Sequence, residues 1–425
     1  MSPASSTDLM PLTRLRRLKL LVSCIIMCAI GFIYGWSVFS APLAEEFGWD
    51  AATISFTFTV LMWAFCAGGI TGAKLSARAS SRTTLIVSAT GVFAAFSLTA
   101  IFVQQDMPWL PYLTYGVLGG CCVGMAYNTT MGATAPWYPD RTGTVSGLML
   151  LCYGMSTMIL GSAAAGLFSA IGWRWSYIAL SACIAVLVGS LSLAVRKPTE
   201  QEAAALAFSL MESRSSASDP KAAASPLNCT TADMLRQPVF YTYACWMLAV
   251  SCIGLGLIGS ANQLALAAGS AVPLAVAIVG ILSVCNGCGR LVVGLLFDRA
   301  GIAATMAVVA LAHGLGCLFV LAALLHASAA FMVAGVIVGG LGIGGTSVVG
   351  SGFIAQAFGS LHYAENLSIL NLTLIPAALL GPLIISTSII ETGAYALGVS
   401  GLAALAAVAA ACAALTNNRL KTRQR

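Results

Sequence analysis

Apolar residues gather in long windows, separated by short runs where charge, proline and glycine collect. A helix needs about 20 such residues to cross a hydrocarbon core ~30 Å thick. Windows of that kind cover residues 18–42, 51–74, 83–103, 109–134, 143–170, 174–195, 238–265, 273–297, 302–325, 328–356, 366–390 and 393–415. The pattern predicts an all-α polytopic membrane protein with about twelve spans. One long polar interval, 196–237, reads S-R-S-S-A-S-D-P-K-A-A-A-S-P in its middle and holds little to build a core from. It is expected to be a flexible linker joining two six-span halves, with a surface helix over the run Glu200 to Glu212. The expected plan is a tail over 1–17, a half over 18–195, the linker over 196–237, a second half over 238–415 and a tail over 416–425.

Composition agrees. The 425 residues are 59% hydrophobic and 8% charged, where a soluble domain carries about 25% charged residues. The first window is too long for a signal-peptide core and lacks a small-residue cleavage site, so it is expected to be a retained span. Basic residues set the orientation. Arg14, Arg16, Arg17 and Lys19 precede the first span, and Lys74, Arg78, Arg82 and Arg141 fill even-numbered gaps. The linker, Arg299 and the C-terminal arginines fall on the same side, while Glu45, Glu46, Asp50, Asp106 and Glu391 fall opposite, with Arg174 the basic exception. Both termini are therefore expected to be cytoplasmic, in a plasma or inner membrane. The net charge of +6 is scattered rather than striped, which argues against a nucleic-acid partner.

Fourteen cysteines lie almost wholly within apolar windows, where Cys acts as a small hydrophobe. Cys285 and Cys288 have a metal or redox spacing but no second ligand pair. His313, His326 and His362 are dispersed, and no nucleophile–base set or carboxylate pair appears, so no enzyme, cofactor or metal is expected. Glycines recur four apart at Gly120 and Gly124 and at Gly340 and Gly344, a spacing that lets helices approach closely. Gly340, Gly342 and Gly345 also spell the dinucleotide fingerprint, but inside an apolar window the packing reading is preferred.

The chemistry that stands out is Arg290, in N-G-C-G-R-L-V-V-G-L-L-F-D-R-A-G. An arginine deep in a span costs at least ~2.5–3.5 kcal/mol and ordinarily faces a cavity or a counter-charge. No Asp or Glu lies in any span core. Two readings stand side by side. Either the missing counter-ion is a bound anion, or the guanidinium bonds helix carbonyls or snorkels toward the surface. Asn286 lies four residues earlier on the same helix face.

Loop signatures then point to a family. Gly294-x-x-x-Asp298-Arg299-x-Gly301 resembles the short loop motif of the major facilitator superfamily. The first-half copy, Ala73 to Arg82, has Ala77 at the usual Asp position and Ser80 at the usual Gly. Y-G-W-S-V-F-S-A-P-L (Tyr34 to Leu43), W-Y-P-D-R-T-G (Trp137 to Gly143) and G-W-R-W (Gly172 to Trp175) together resemble the oxalate:formate antiporter family, relatives of the monocarboxylate transporters.

The resemblance implies a major facilitator fold of twelve spans, working by alternating access around a central binding site. It implies that Arg290 binds a substrate carboxylate, and that Tyr34, Tyr127 and Tyr153 match aromatic pocket positions; Trp36 joins them as a candidate. Asp298, Arg299, Asp140 and Arg141 are expected to steady the packing, and Glu365 is a candidate gate. The oxalate-specific member carries a lysine in span eleven; residues 367–390 here contain no Lys or Arg. One carboxylate can be neutralised and two cannot, so a small monocarboxylate is the expected cargo of a monomeric transporter. A larger amphipathic anion or a drug-like efflux substrate is the alternative within the fold, and a non-transporting membrane sensor the alternative outside it.

Overall fold

A computed structural model describes residues 6–32, 36–215 and 228–424. The described residues are helical with short turns. In order the helices are α1 (Ser6–Ile30), α2 (Trp36–Phe47), α3 (Ala51–Arg78), α4 (Ser81–Phe102), α5 (Trp109–Pro111), α6 (Gly120–Thr134), α7 (Thr142–Ile171) and α8 (Trp173–Leu191). After them come α9 (Glu200–Ser215), α10 (Thr231–Leu235), α11 (Pro238–Ala267), α12 (Val272–His326), α13 (Ala329–Phe358), α14 (Tyr363–Asn371), α15 (Leu374–Thr392) and α16 (Ala396–Gln424). A π-helical stretch, Tyr112–Gly119, joins α5 to α6.

Among the described residues, 9 helical stretches are long and apolar enough to cross a membrane. One of them, α12, has 55 residues. At 1.5 Å per residue a straight helix of that size would be ~80 Å long, far more than one bilayer. It turns at Gly301, whose φ of 78° and ψ of −178° lie outside the helical range, so α12 is two crossings with Gly301 between its arms. Only glycine takes that backbone without strain. The fourth crossing runs from α5 through the π-helical stretch into α6, and α1 with α2 covers the first of the twelve.

Two spans depart from simple windows. Hydropathy predicts one span over 18–42. The helix α1 reaches back to Ser6, ahead of that window, because Arg14, Arg16, Arg17 and Lys19 are good helix formers. The eleventh span breaks between α14 and α15. There Ile375 N–H bonds to Leu372 O three residues back, and Pro376 has no N–H to give. Pro42 and Pro382 lie inside helices. The predicted surface helix is present as α9.

Side-chain caps hold helix starts. Asp50 accepts from Thr53 N–H at 2.9 Å, and Ser80 from Thr83 N–H at 3.0 Å. Thr230 and Asp233 form a reciprocal capping box on α10, satisfying donors that would otherwise be orphaned.

By their contacts the residues divide into two units. The first comprises 1–140, 152–225 and 360–368; the second comprises 141–151, 226–359 and 369–425. In the first, α3 packs on α6 and α4 on α8. In the second, α12 packs on α13, and α11 on α15 and α16, around a core that includes Ile253, Leu257, Leu282, Val320, Val336 and Leu402. Residues 141–151, the start of α7, thus belong with the second unit.

Candidate functional site

The first arm of α12 carries Arg290 between two glycine-lined helix contacts. On one side lies α13. A methyl on Gly344 would run into the carbonyl oxygen of Asn286, and one on Gly289 into that of Leu341. Gly340 faces Cys285, Gly345 faces Val293 and Gly352 faces the Phe297 ring. Gly342 faces His313 in the second arm. The three glycines of the apparent dinucleotide fingerprint therefore each receive a neighbouring helix.

On the other side lies the start of α7. Gly143 and Gly294 meet backbone to backbone: a methyl on Gly143 would sit 2.6 Å from Gly294 O, and one on Gly294 2.5 Å from Gly143 O. One turn on, a methyl on Gly147 would strike the carbonyl oxygen of Arg290. One turn further, Leu151 Cδ1 lies 3.4 Å from where a Gly287 methyl would be. Residues 143, 147 and 151 repeat every four and share one face of α7. Asp298 fastens the end of this seam. Its Oδ1 accepts Gly143 N–H and its Oδ2 accepts Thr144 N–H, both at 2.7 Å. A carboxylate there also meets the positive end of the α7 dipole.

Arg290 sits within the seam, half-buried. Its Nη1 donates to the main-chain oxygen of Leu150. Among the described residues it has no ion-pair partner and no other hydrogen bond. A guanidinium carries five N–H donors, so most of its capacity is unspent. Asp298, eight residues on, lies ~12 Å along the helix, and its oxygens are taken by α7. Asn286, also half-buried, shares the Arg290 face; its side chain makes no hydrogen bond among the described residues. A cation so placed can hold one carboxylate by a bidentate fork.

The aromatic candidates belong to the first unit. Tyr127 and Tyr153 are buried with ring centroids 5.3 Å apart, and Phe65 lies 5.3 Å beyond Tyr127. Trp36 is buried elsewhere, 4.4 Å from Tyr115, which joins a cluster with Phe96, Phe39 and Tyr177. Tyr34 lies outside the described residues. Asp140 pairs with Arg16 at 2.5 Å. Arg141 and Arg299 are exposed. Glu365, in the first turn of α14, lies 3.6 Å from His362 Nδ1, and its charge also reaches Lys197.

Two contributors carry no side-chain signature: the carbonyl of Leu150 and the backbone of Gly147. A main-chain acceptor cannot be read from residue type. Besides Asp298, the Gly143–Gly147 spacing is a sequence signal for this seam, being the same four-residue step seen at Gly120–Gly124 and Gly340–Gly344.

Comparison with known proteins decides the family. The Major Facilitator Superfamily profile matches residues 20–324. The chain belongs to the major facilitator superfamily. It is 25% identical over 287 residues to the uncharacterized MFS-type transporter YhjX of Escherichia coli (strain K12), covering 67% of each chain. It is 22% identical over 291 residues to the oxalate:formate antiporter of Oxalobacter formigenes, covering 68% of this chain and 65% of that one. The chain thus matches about two-thirds of the length of these relatives. The proton:xylose symporter XylE, bound to 6-bromo-6-deoxy-D-glucose, superposes with a TM-score of 0.66 at 15% identity, over 96% of this chain and 95% of that one. A double tryptophan mutant of XylE gives 0.65 at 14% identity, over 95% of each chain. At these identities the likeness to XylE concerns the fold alone.

The loop signatures of this major facilitator protein act as clamps in the first unit. In W-Y-P-D, Trp137 N–H donates to Arg196 O at 2.9 Å and Arg16 lies 4.4 Å over the Tyr138 ring while pairing with Asp140. In G-W-R-W, Trp173 N–H donates to Glu46 at 2.5 Å. Arg174 donates to Glu46 at 3.0 Å, to the Ala100 carbonyl in α4 at 2.7 Å and to the carbonyl of Val103, just past the end of α4, at 3.3 Å. These donors hold the Glu46 carboxyl below its ordinary range, Trp173 first and Arg174 next. Arg174 thus caps the C-terminal end of α4 and is neutralised locally.

Proposed function

We propose that this major facilitator protein is a secondary transporter of a small organic anion, a monocarboxylate, with Arg290 binding the carboxylate. The observation that carries this reading is a half-buried guanidinium on an apolar helix, bonded to one carbonyl and facing no acid among the described residues. Leaving such a cation without an anionic partner is costly in a membrane. The name of the Oxalobacter relative pairs a dicarboxylate with a monocarboxylate. Absence of Lys and Arg from 366–390 favours the monocarboxylate, since each carboxylate needs its own cation in a dry site. Asn286 supplies a polar group one turn away. Transport proceeds by alternating access, both termini are cytoplasmic, and the monomer is the working unit.

Purified protein in liposomes tests this. Uptake of radiolabelled formate, acetate and lactate is expected, with and without a pH gradient imposed, while oxalate and succinate are poor substrates. Uptake of dicarboxylates in preference to monocarboxylates would overturn the cargo assignment. Reporter fusions at either terminus that respond only from the outside would overturn the orientation.

A further inference from the structure

Away from Arg290, the second unit carries an open groove. The long helix α12 packs on α16, and in its second arm a methyl on Gly314 would sit 3.3 Å from Ala406 Cβ. Side chains there are too small to fill the space between the two helices. Ala307, Leu311, Gly314 and Leu318 on one side and Ala403 and Ala410 on the other line a groove of about 280 Å³, almost wholly apolar. Leu311 and Leu318 stand more than half exposed along it. From Ala307 to Leu318 the groove runs ~17 Å at 1.5 Å per residue, close to one leaflet of a ~30 Å hydrocarbon core.

One end of this groove is basic. The ninth and twelfth crossings run in opposite directions, and Gly301 is as far behind Gly314 as Arg419 is ahead of Ala406. The Gly301 turn and Arg419 therefore lie at one level. Lys421 follows Ala403 by eighteen residues, five full turns, and so shares its helix face. Arg299, Arg419 and Lys421 are all exposed. Arg419 gives one of its five donors to Pro238 O at 2.5 Å. The second arm and α16 contain no Asp or Glu, and Asp298 beside Arg299 has both oxygens on α7 N–H groups. We propose that the groove holds an acyl chain of an anionic phospholipid, with its phosphate bound by Arg299, Arg419 and Lys421. Charge and shape both select this occupant. A phosphate takes the guanidinium fork, and basic pockets between transmembrane helices bind anionic headgroups. A second copy of the chain would present a helix ~10–12 Å across, which needs several times this volume over the same length. The site is separate from Arg290 and does not depend on the cargo.

The test counts bound lipid. Purified protein in detergent is titrated with phosphatidylglycerol, phosphatidylethanolamine and phosphatidylcholine of the same acyl chains, and retained lipid is read by native mass spectrometry. One phosphatidylglycerol is expected to be held roughly tenfold or more tightly than phosphatidylcholine, since each Lys or Arg near the surface is worth about fivefold in affinity for an anionic lipid. Lys421→Gln should weaken phosphatidylglycerol by about that single factor and leave phosphatidylcholine unchanged. Ala407→Leu combined with Ala410→Leu fills the groove from two exposed positions, and should lose the lipid without lowering the unfolding temperature. On the wild-type protein, phosphatidylglycerol with a diazirine in its chain is expected to label residues 307–318 and 403–410. Equal retention of the three lipids, or labelling confined to other segments, would overturn the proposal. So would a dimer in detergent that the double variant dissociates, because the groove would then be an interface between two copies. None of these readouts involves Arg290, so the lipid site and the carboxylate site stand or fall separately.

Discussion

Asp298 closes one helix of the second unit by accepting the backbone N–H of Thr144 at the start of another. A second oxygen of the same carboxylate takes Gly143 N–H. The acid is thus committed to a helix end, and so cannot serve as the counter-ion of Arg290 two turns away. Replacing it with alanine removes a cap of the kind worth ~1 kcal/mol, up to about 2. Asp298→Ala is expected to lower the thermal unfolding midpoint of the purified protein by a few degrees, with Asp298→Asn between the two. A midpoint equal to wild type would mean that the carboxylate does not cap α7.

Arg174 and Glu46 separate an ion pair from a helix cap. The pair is more than a third exposed on both partners, and exposed pairs contribute ~1 kcal/mol at most. The carbonyls of Ala100 and Val103 also depend on Arg174. Arg174→Ala is therefore expected to destabilise more than Glu46→Ala, and a double-mutant cycle between the two should give a coupling below ~1 kcal/mol. Equal losses from the two single variants, with a large coupling, would mean that the ion pair outweighs the cap.

Glycine positions along α12 and α13 divide sharply. Gly344→Ala places a methyl against Asn286 O, while nothing lies within 4 Å of a methyl at Gly280. Overpacking in a tight contact costs ~1–3 kcal/mol, and an unobstructed Gly→Ala change in a helix gains up to ~1 kcal/mol. Detergent-solubilised Gly344→Ala is expected to unfold at lower temperature than wild type and Gly280→Ala at the same temperature or higher. The reverse order would contradict the close packing of α12 on α13.

The start of the linker has a pH signature. Arg196 binds both carboxylate oxygens of Glu202, at 2.6 and 2.7 Å, and with help from Thr199 holds the Glu202 carboxyl at about 2. A lowered carboxyl contributes stability above its unfolded value of ~4.3, and that contribution is lost as pH falls from there toward about 2. Cleavage at the start of α9 by pepsin is expected to begin within that window. In Arg196→Gln the onset should move up toward ~4.3. An onset unaffected by Arg196→Gln would show that the pair does not anchor the linker.

Much of the architecture was legible because hydropathy reports burial in lipid directly. The windows found the spans, the run Glu200 to Glu212 is helical as α9, and Gly301 lies at the turn that divides α12. What hydropathy could not show is where an apolar run stops being one helix. The π-helical stretch Tyr112–Gly119 and the tight turns ahead of Pro376 are backbone events inside uniformly apolar sequence. At the candidate site Arg290 and Asn286 were visible as polar residues in an apolar helix. The Leu150 carbonyl was not, since every residue has one. Trp36 looked like a companion of Tyr127 and Tyr153, yet it packs on Tyr115 instead.

The central claim is that Arg290 holds the carboxylate, and equilibrium binding of radiolabelled lactate and formate to purified protein addresses it most directly. Wild type is expected to bind the anions. Arg290→Ala should bind at least a hundredfold more weakly, and Arg290→Lys, which keeps the charge but lacks the fork, should fall between them. All three variants should insert and elute as intact protein. Undiminished binding by correctly folded Arg290→Ala would contradict the account.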